Sequence, residues 1–229
     1  QGMTGWQEYS VERPDSFIPP RPLPEGLTPA MALSVFGTTA LTAYFGLLDI
    51  GQPQAGDTVL VSGAAGATGS VVAQIARLKG ARVIGIAGGT EKCNWLRDSC
   101  KIDEVIDYKN EDIPQRLAEL CPLGINVFFD NVGGSTLEAA IEQMADHGRI
   151  ALCGGIAGYN DEEPTEGPKN LMILVQRRIK MQGFIVIDYM DRFEAAMADI
   201  AEWVMAGEIA WREDIQSGFE NIPTTLQRL

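Results

Sequence analysis

The stretch from Asp57 to Gly80, DTVLVSGAAGATGSVVAQIARLKG, decides how the rest of the chain is read. Residues 58–62 form an apolar run of strand length, and residues 69–79 carry apolar side chains at helical spacing until Gly80 stops them. Between the two lies a turn of small residues in which Ala64, Gly66 and Gly69 stand in the register A-x-G-x-x-G. Glycines also end strands, so the turn alone is weak evidence. A turn that follows a buried strand and opens a helix is an anion cradle. There Gly66 admits a pyrophosphate to the backbone, Gly69 lets the helix lie close to the sheet, and the unbonded N–H groups of the first helical turn face the anion. Ala64 in the first position fits a slightly more relaxed turn. The reading is a dinucleotide site; the alternative is a plain strand–turn–helix.

The same alternation continues outward. Strands are expected at 82–87, 104–107, 126–130, 149–153 and 181–187. Helices are expected at 91–100, 113–120, 135–145, 170–177 and 192–206. Runs as apolar as VLVSG and NVFFD are those of strands buried on both faces, and their alternation with helices predicts an α/β fold: an open, doubly wound parallel sheet. Residues 30–48 carry no charge over nearly the length of a membrane span. They also hold Ser34, threonines, glycines and Tyr44, and Thr28-Pro29 and Gly51 are good start and stop signals, so a buried helix of a soluble domain is the better reading. The proline-rich segment 16–27 reads as an ordered crossing, with a partner ligand as the alternative. The acidic run 161–166 reads as a solvated loop.

Composition sets limits. The 229 residues are 45% hydrophobic, enough for a sizeable core, and the net charge of −13 opposes nucleic acid and anionic membrane surfaces. An anionic ligand must be held by local groups. Four scattered cysteines and a single histidine, His147, give neither a disulfide framework nor a metal cluster, as expected of a reduced, cytoplasmic chain with no metal. His147, before Gly148, is expected at a helix end. The chain opens with Gln1 in a strand-like alternation, MTGWQEYS, and closes a few residues into a helical IPTTLQRL; both ends read as cuts through a longer protein.

The end of the second strand bears on cofactor choice. NAD sites place Asp or Glu there to accept from the ribose 2′-hydroxyl; this chain has Ala87, Gly88, Gly89 and Thr90. Without that carboxylate a 2′-phosphate meets no repulsion. Lys92 falls in the first turn of the next helix, where the helix dipole disfavours a cation unless a phosphate is its partner; a freely solvated lysine is the alternative. A hundredfold preference for NADPH needs about 2.8 kcal/mol, whereas an exposed ion pair contributes about 0.2–1 kcal/mol. A second contact is required. Tyr108, after the third strand, is the candidate, a half-buried structural tyrosine being the other reading. FFDNVGG (128–134) and LCGGIAGYN (152–160) add glycines past two further strand ends, with Asn131 able to hydrogen-bond ribose or nicotinamide.

Together with GTTALTAYFGL, GGTEKCNWL, VIDYKNED, RIKMQGFIV and SGFENIP, these motifs resemble the zinc-independent medium-chain dehydrogenases/reductases. The resemblance is strongest to the prostaglandin reductase, curcumin reductase and 2-alkenal reductase branch and covers nearly the whole chain. It implies a Rossmann-type domain over 29–206, with remnants of a GroES-like catalytic domain at 1–28 and 207–229. It implies NADPH held at its pyrophosphate by Gly66, Ala67, Thr68 and Gly69 and at its 2′-phosphate by Lys92 and Tyr108. Toward the nicotinamide it implies Asn131, Cys153, Gly154, Gly155, Ile156, Tyr159 and the backbone around Phe184 and Val186. The implied reaction is hydride transfer from NADPH to the β-carbon of an α,β-unsaturated ketone or aldehyde, then protonation at the α-carbon. The run KMQGFIVID is implied as an edge strand pairing two subunits into a homodimer. Gln176 stands where many relatives have a tyrosine, so no catalytic residue is assigned. A quinone reductase of the same superfamily and a non-catalytic nucleotide-binding or dimerisation module are the competing readings.

Overall fold

The computed structural model describes residues 5–11, 22–23, 25–161 and 166–227. The strands are β1 (Thr58–Val61), β2 (Arg82–Ala87), β3 (Glu104–Asp107), β4 (Ile125–Asp130), β5 (Met144–Leu152) and β6 (Lys180–Gly183). They form one sheet in the order β3-β2-β1-β4-β5-β6, each neighbouring pair parallel. The doubly wound α/β fold read from the alternation is therefore borne out. The strand order reverses between β1 and β4, where sheets of this kind bind ligands.

Successive residues of the central strands feed opposite cores. Val59, Val61 and Phe129 pack with α2 (Thr38–Phe45), α3 (Ala67–Leu78), α4 (Thr90–Asp98) and α8 (Phe193–Met205) on one face. Leu60 and Phe128 pack with α5 (Ile113–Leu120) and α6 (Gly134–Gln143) on the other. Both faces of the sheet are thus dry, which is why these strands read as unbroken apolar runs.

The expected helix over 30–48 is corrected. Thr28 does start it, its hydroxyl accepting from the Met31 N–H at 3.2 Å, but α1 (Pro29–Leu33) stops after five residues. The Ser34 hydroxyl bonds back to the Met31 carbonyl and across to Glu213, competing with the helical ladder. At Gly37 the chain passes so close to Leu33 that a Cβ would stand 2.7 Å from its carbonyl oxygen. α2 then ends in a wider turn, Gly46–Gly51, whose first residue is a glycine packed under the Phe184 ring, which a Cβ there would approach to 2.2 Å. The left-handed residue that ends it is Gln52, with φ 47°, not Gly51.

Three further expectations change. β6 stops at Gly183, and the run that was to continue to Ile187 turns into a helical turn over Val186–Arg192 once Phe184 folds in against Gly46 and Phe129. β5 begins five residues early at Met144 through a register shift against β4, so His147 sits inside it at φ 61°, donating its N–H to the Arg177 carbonyl, and at no helix end. Residues 5–10 of the strand-like opening form no strand; residues 1–4, most of the proline-rich segment and residues 162–165 of the acidic run lie outside the described residues. The helical reading near the end holds as α9 (Ile222–Leu226).

Phe128 and Phe129 are both fully buried, on opposite faces. Replacing either with alanine is expected to cost about 3–5 kcal/mol, read as a lower urea midpoint with little change in slope.

Candidate functional site

The glycine turn is built by close contacts. Gly63 adopts φ 57°, and Gly66, the N-cap of α3, accepts from the Ser70 N–H at 2.9 Å. A Cβ on Gly69 would stand 2.3 Å from the Gly63 carbonyl oxygen and 2.9 Å from the Ala64 Cα, so only glycine lets the helix seat on the turn. Ala64 is fully buried and donates its N–H to the Ile86 carbonyl. α3 begins at Ala67, two residues earlier than the spacing predicts. The N–H groups of Ala67, Thr68 and Gly69 therefore lie in its first turn, where they have no intrahelical acceptor. Gly66 and Ala67 are exposed, so this end of the helix is open to a ligand.

Beside the turn, a buried carboxylate holds the strand ends together. Asp130, at the end of β4 and fully buried, accepts from the Ser62 hydroxyl at 2.6 Å and from the N–H groups of Val132 and Gly133 at 3.0 and 3.1 Å. The Ser62 oxygen in turn accepts from the Asn131 N–H, and the Asn131 side-chain amide donates to the Ser62 carbonyl at 2.7 Å. Asn131 thus faces the glycine turn with one amide N–H committed and its carbonyl oxygen left for a ligand. The loop after β5 lies over the loop after β4: Cys153 and Gly154 donate to the Asp130 carbonyl, Ile156 to Asn131 and Ala157 to Val132. Gly133, at φ 73°, passes within 3.3 Å of Gly155, measured from where its Cβ would stand. Tyr159 folds back so that its hydroxyl lies 3.4 Å from the Gly155 N–H, while Ile156 stays exposed. Burial, then the Asp130 charge, raises the Cys153 thiol to about 11, so it is no thiolate nucleophile near neutral pH.

The β2 and β3 ends form the second half. Tyr108 lies over Gly88, its ring atoms 2.6–2.8 Å from where a Cβ would be; the space a side chain would need there is already filled. Asp107 accepts from the Gly89 N–H at 2.8 Å, the Lys109 N–H at 3.2 Å and the Asn110 amide at 2.8 Å. These donors, the Gly89 N–H first, hold its carboxyl below the usual carboxylate range. Asp107 therefore fixes the Gly88-Gly89 turn that aims α4. Lys92 is exposed in the first turn of α4, and Tyr108 is 54% exposed. Glu91, next to Lys92, pairs with Arg212 at 2.7 Å.

All fourteen residues expected at the site lie at or just beyond the carboxyl edge. Asn131 lies against Ser62 and Gly63, the start of the turn that leads into Gly66, Ala67, Thr68 and Gly69, while Cys153, Gly154, Gly155, Ile156 and Tyr159 form the adjoining loop. Lys92 and Tyr108 flank the β2 end. Phe184 and Val186 follow β6; the Phe184 ring is turned into the core, leaving its backbone at the edge. Gln176 is exposed at the end of α7 (Met172–Gln176). Sequence reasoning passed over Ser62, Gly63, Asp107 and Asp130. The signal for the two carboxylates was there: each is the one acid ending an apolar run, VID and VFFD. Cavity size points elsewhere, to a groove of about 1200 Å³ bounded by Trp6, Leu33, Ile215 and Leu226; the cavity beside the glycine turn is about 110 Å³. The edge is preferred because it offers open N–H donors to an anion, whereas the larger groove is mainly apolar.

Residues 67–202, more than half of the chain, match the zinc-binding dehydrogenase family. The chain belongs to that family. It is 40% identical over 225 residues to bovine prostaglandin reductase 1, covering 96% of this chain and 68% of that one. It is 38% identical over 229 residues to the NADPH-dependent curcumin reductase of Escherichia coli, covering 98% and 66%. The crystal structure of CurA from Vibrio vulnificus in complex with NADPH superposes with a TM-score of 0.87 at 45% identity, covering 96% of this chain and 66% of that one. The resemblance read from the motifs is borne out, and the chain spans about two thirds of the length of these relatives. The family's description names zinc. Cys93, Cys100 and Cys121 are buried with free thiols, and among the described residues no three His, Cys, Asp or Glu side chains are placed to hold a metal ion.

Because the folded state holds Asp107 below its ordinary range, its contribution to stability is present above about pH 3.9 and is lost as pH falls through the lower folded value. Asp107→Asn is expected to flatten the loss of stability below that pH, measured by urea unfolding at a series of pH values.

Proposed function

We propose that the chain binds NADPH along the carboxyl edge and that the whole protein uses it to reduce the C=C bond of α,β-unsaturated ketones or aldehydes. One observation carries the cofactor reading: the open first turn of α3 stands beside a β2 end where Tyr108 fills the place of a carboxylate and Lys92 offers a cation. The N–H groups of Ala67, Thr68 and Gly69 would hold the pyrophosphate, Lys92 and Tyr108 the 2′-phosphate. Asn131 and the backbone of Gly154 and Gly155 would orient the nicotinamide. Bound NADPH supplies the hydride for the β-carbon, and a proton completes the reduction at the α-carbon. What the protein adds is orientation and a polar frame for charge developing on the substrate oxygen. The enone reading is supported by the relatives, a curcumin reductase and a prostaglandin reductase at 38% and 40% identity.

The same reading includes a homodimer. β6 is the edge of the sheet among the described residues, and the chain beyond it exposes Ile185 (60%) and Ile187 (43%). Such an edge is a template for pairing with a second copy.

Lys92→Glu is expected to weaken NADPH much more than NADH, by about tenfold or more, in a fluorescence titration with both reduced cofactors; equal losses would remove Lys92 from the 2′-phosphate. Ile185→Glu is expected to shift the protein toward monomer in sedimentation, leaving cofactor affinity unchanged.

A further inference from the structure

Lys92 is one exposed cation facing a ligand that carries several phosphate charges, in a protein whose net charge is −13. A second cation stands nearby, from a distant part of the sequence. The segment leading to it is stitched along α3. The buried Gln74 side chain donates to the Ala210 carbonyl at 2.9 Å and accepts from the Ala210 N–H at 2.7 Å, and Arg77 bonds the Glu208 carbonyl and carboxylate, both at 3.0 Å. This fixes the backbone two residues before Arg212. The Arg212 guanidinium then lies 5.6 Å from the Trp95 ring centroid and 2.7 Å from the Glu91 carboxylate. It lines the same cavity, about 110 Å³, as Gly66, Ala67 and Ser70 at the start of α3.

We propose that Arg212 is a second phosphate ligand of the cofactor, held in reserve by Glu91 and exchanged from that carboxylate to a cofactor phosphate on binding. The proposal rests on the NADPH reading above. Chemistry favours the exchange. The Glu91 and Arg212 side chains are 83% and 51% exposed, and an exposed pair of this kind is weak. A phosphate offers more charge and a geometry that a planar guanidinium meets with two parallel N–H bonds. Trp95, four residues after Glu91 and on the same face of α4, supports the guanidinium in either arrangement. Glu91 acts as a placeholder: it keeps Arg212 beside the cradle and competes with the phosphate for that guanidinium.

The test is the sign of two substitutions that break the same ion pair. In the fluorescence titration Arg212→Gln is expected to raise the Kd for NADPH about tenfold. Glu91→Gln is expected to lower it about two- to threefold, because the competitor is gone. The double variant should match Arg212→Gln, and Arg212→Lys should recover part of the loss. A merely structural pair would make both single variants behave alike, so equal weakening by both, or wild-type affinity in Arg212→Gln, overturns the assignment. Thermal unfolding is expected to move equally in the two, since each loses one partner of one bridge. An equal loss of NADH and NADPH places Arg212 on the pyrophosphate, and a loss confined to NADPH places it on the 2′-phosphate; either supports the exchange. If the unaltered protein binds neither cofactor, the NADPH reading falls and this assignment falls with it.

Discussion

A carboxylate with no access to solvent sits where the strand order reverses, and the edge is assembled around it. Among the described residues no cation forms an ion pair with Asp130. It is held by the Ser62 hydroxyl and the N–H groups of Val132 and Gly133, which lie just beyond the two strands that part at the reversal. A buried charge is tolerated only when its lone pairs are met in this way. The requirement runs in both directions: satisfying Asp130 places the end of β1, the loop after β4 and, through its own carbonyl, the loop after β5. The glycine turn and the Asn131 loop are therefore parts of one polar network and cannot shift independently.

Space does as much as charge at this edge. Gly69 admits α3 to within contact of the Gly63 carbonyl, aiming its free N–H groups at the crevice. Gly88 yields its side-chain volume to Tyr108. At position 88 the Tyr108 side chain, from just after β3, lies over the backbone where a longer side chain would otherwise project.

How much of this was legible follows from the range of the interactions concerned. α5 was read with its exact bounds because its signals are local: the Asp112 side chain caps the Gln115 N–H, and Pro114 sits in the first turn. β2 and β3 were equally local, each an apolar run closed by glycines or polar residues. The single helix over 30–48 failed because its breaks are tertiary. Ser34 bonds to Glu213, and Gly46 makes way for Phe184. The same Phe184 contact ended β6 early. At the site, residues within one turn, such as Gly66 and Gly69, were visible as a motif. Asp107 on Gly89, Tyr108 on Gly88 and Arg212 on Glu91 were not, because each pairs elements that meet only after the sheet has formed.

The packing of segment 208–212 on α3 gives the C-terminal part of the described chain a part in the site. A glutamine with 1% exposure spends both ends of its amide on one backbone residue, Ala210, an arrangement that leaves no room for slippage. Two residues farther on, Trp211 and Arg212 border the cavity at the start of α3, and Glu213 reaches the Ser34 hydroxyl where α1 breaks. One short segment thus touches α1, α3 and α4 in succession.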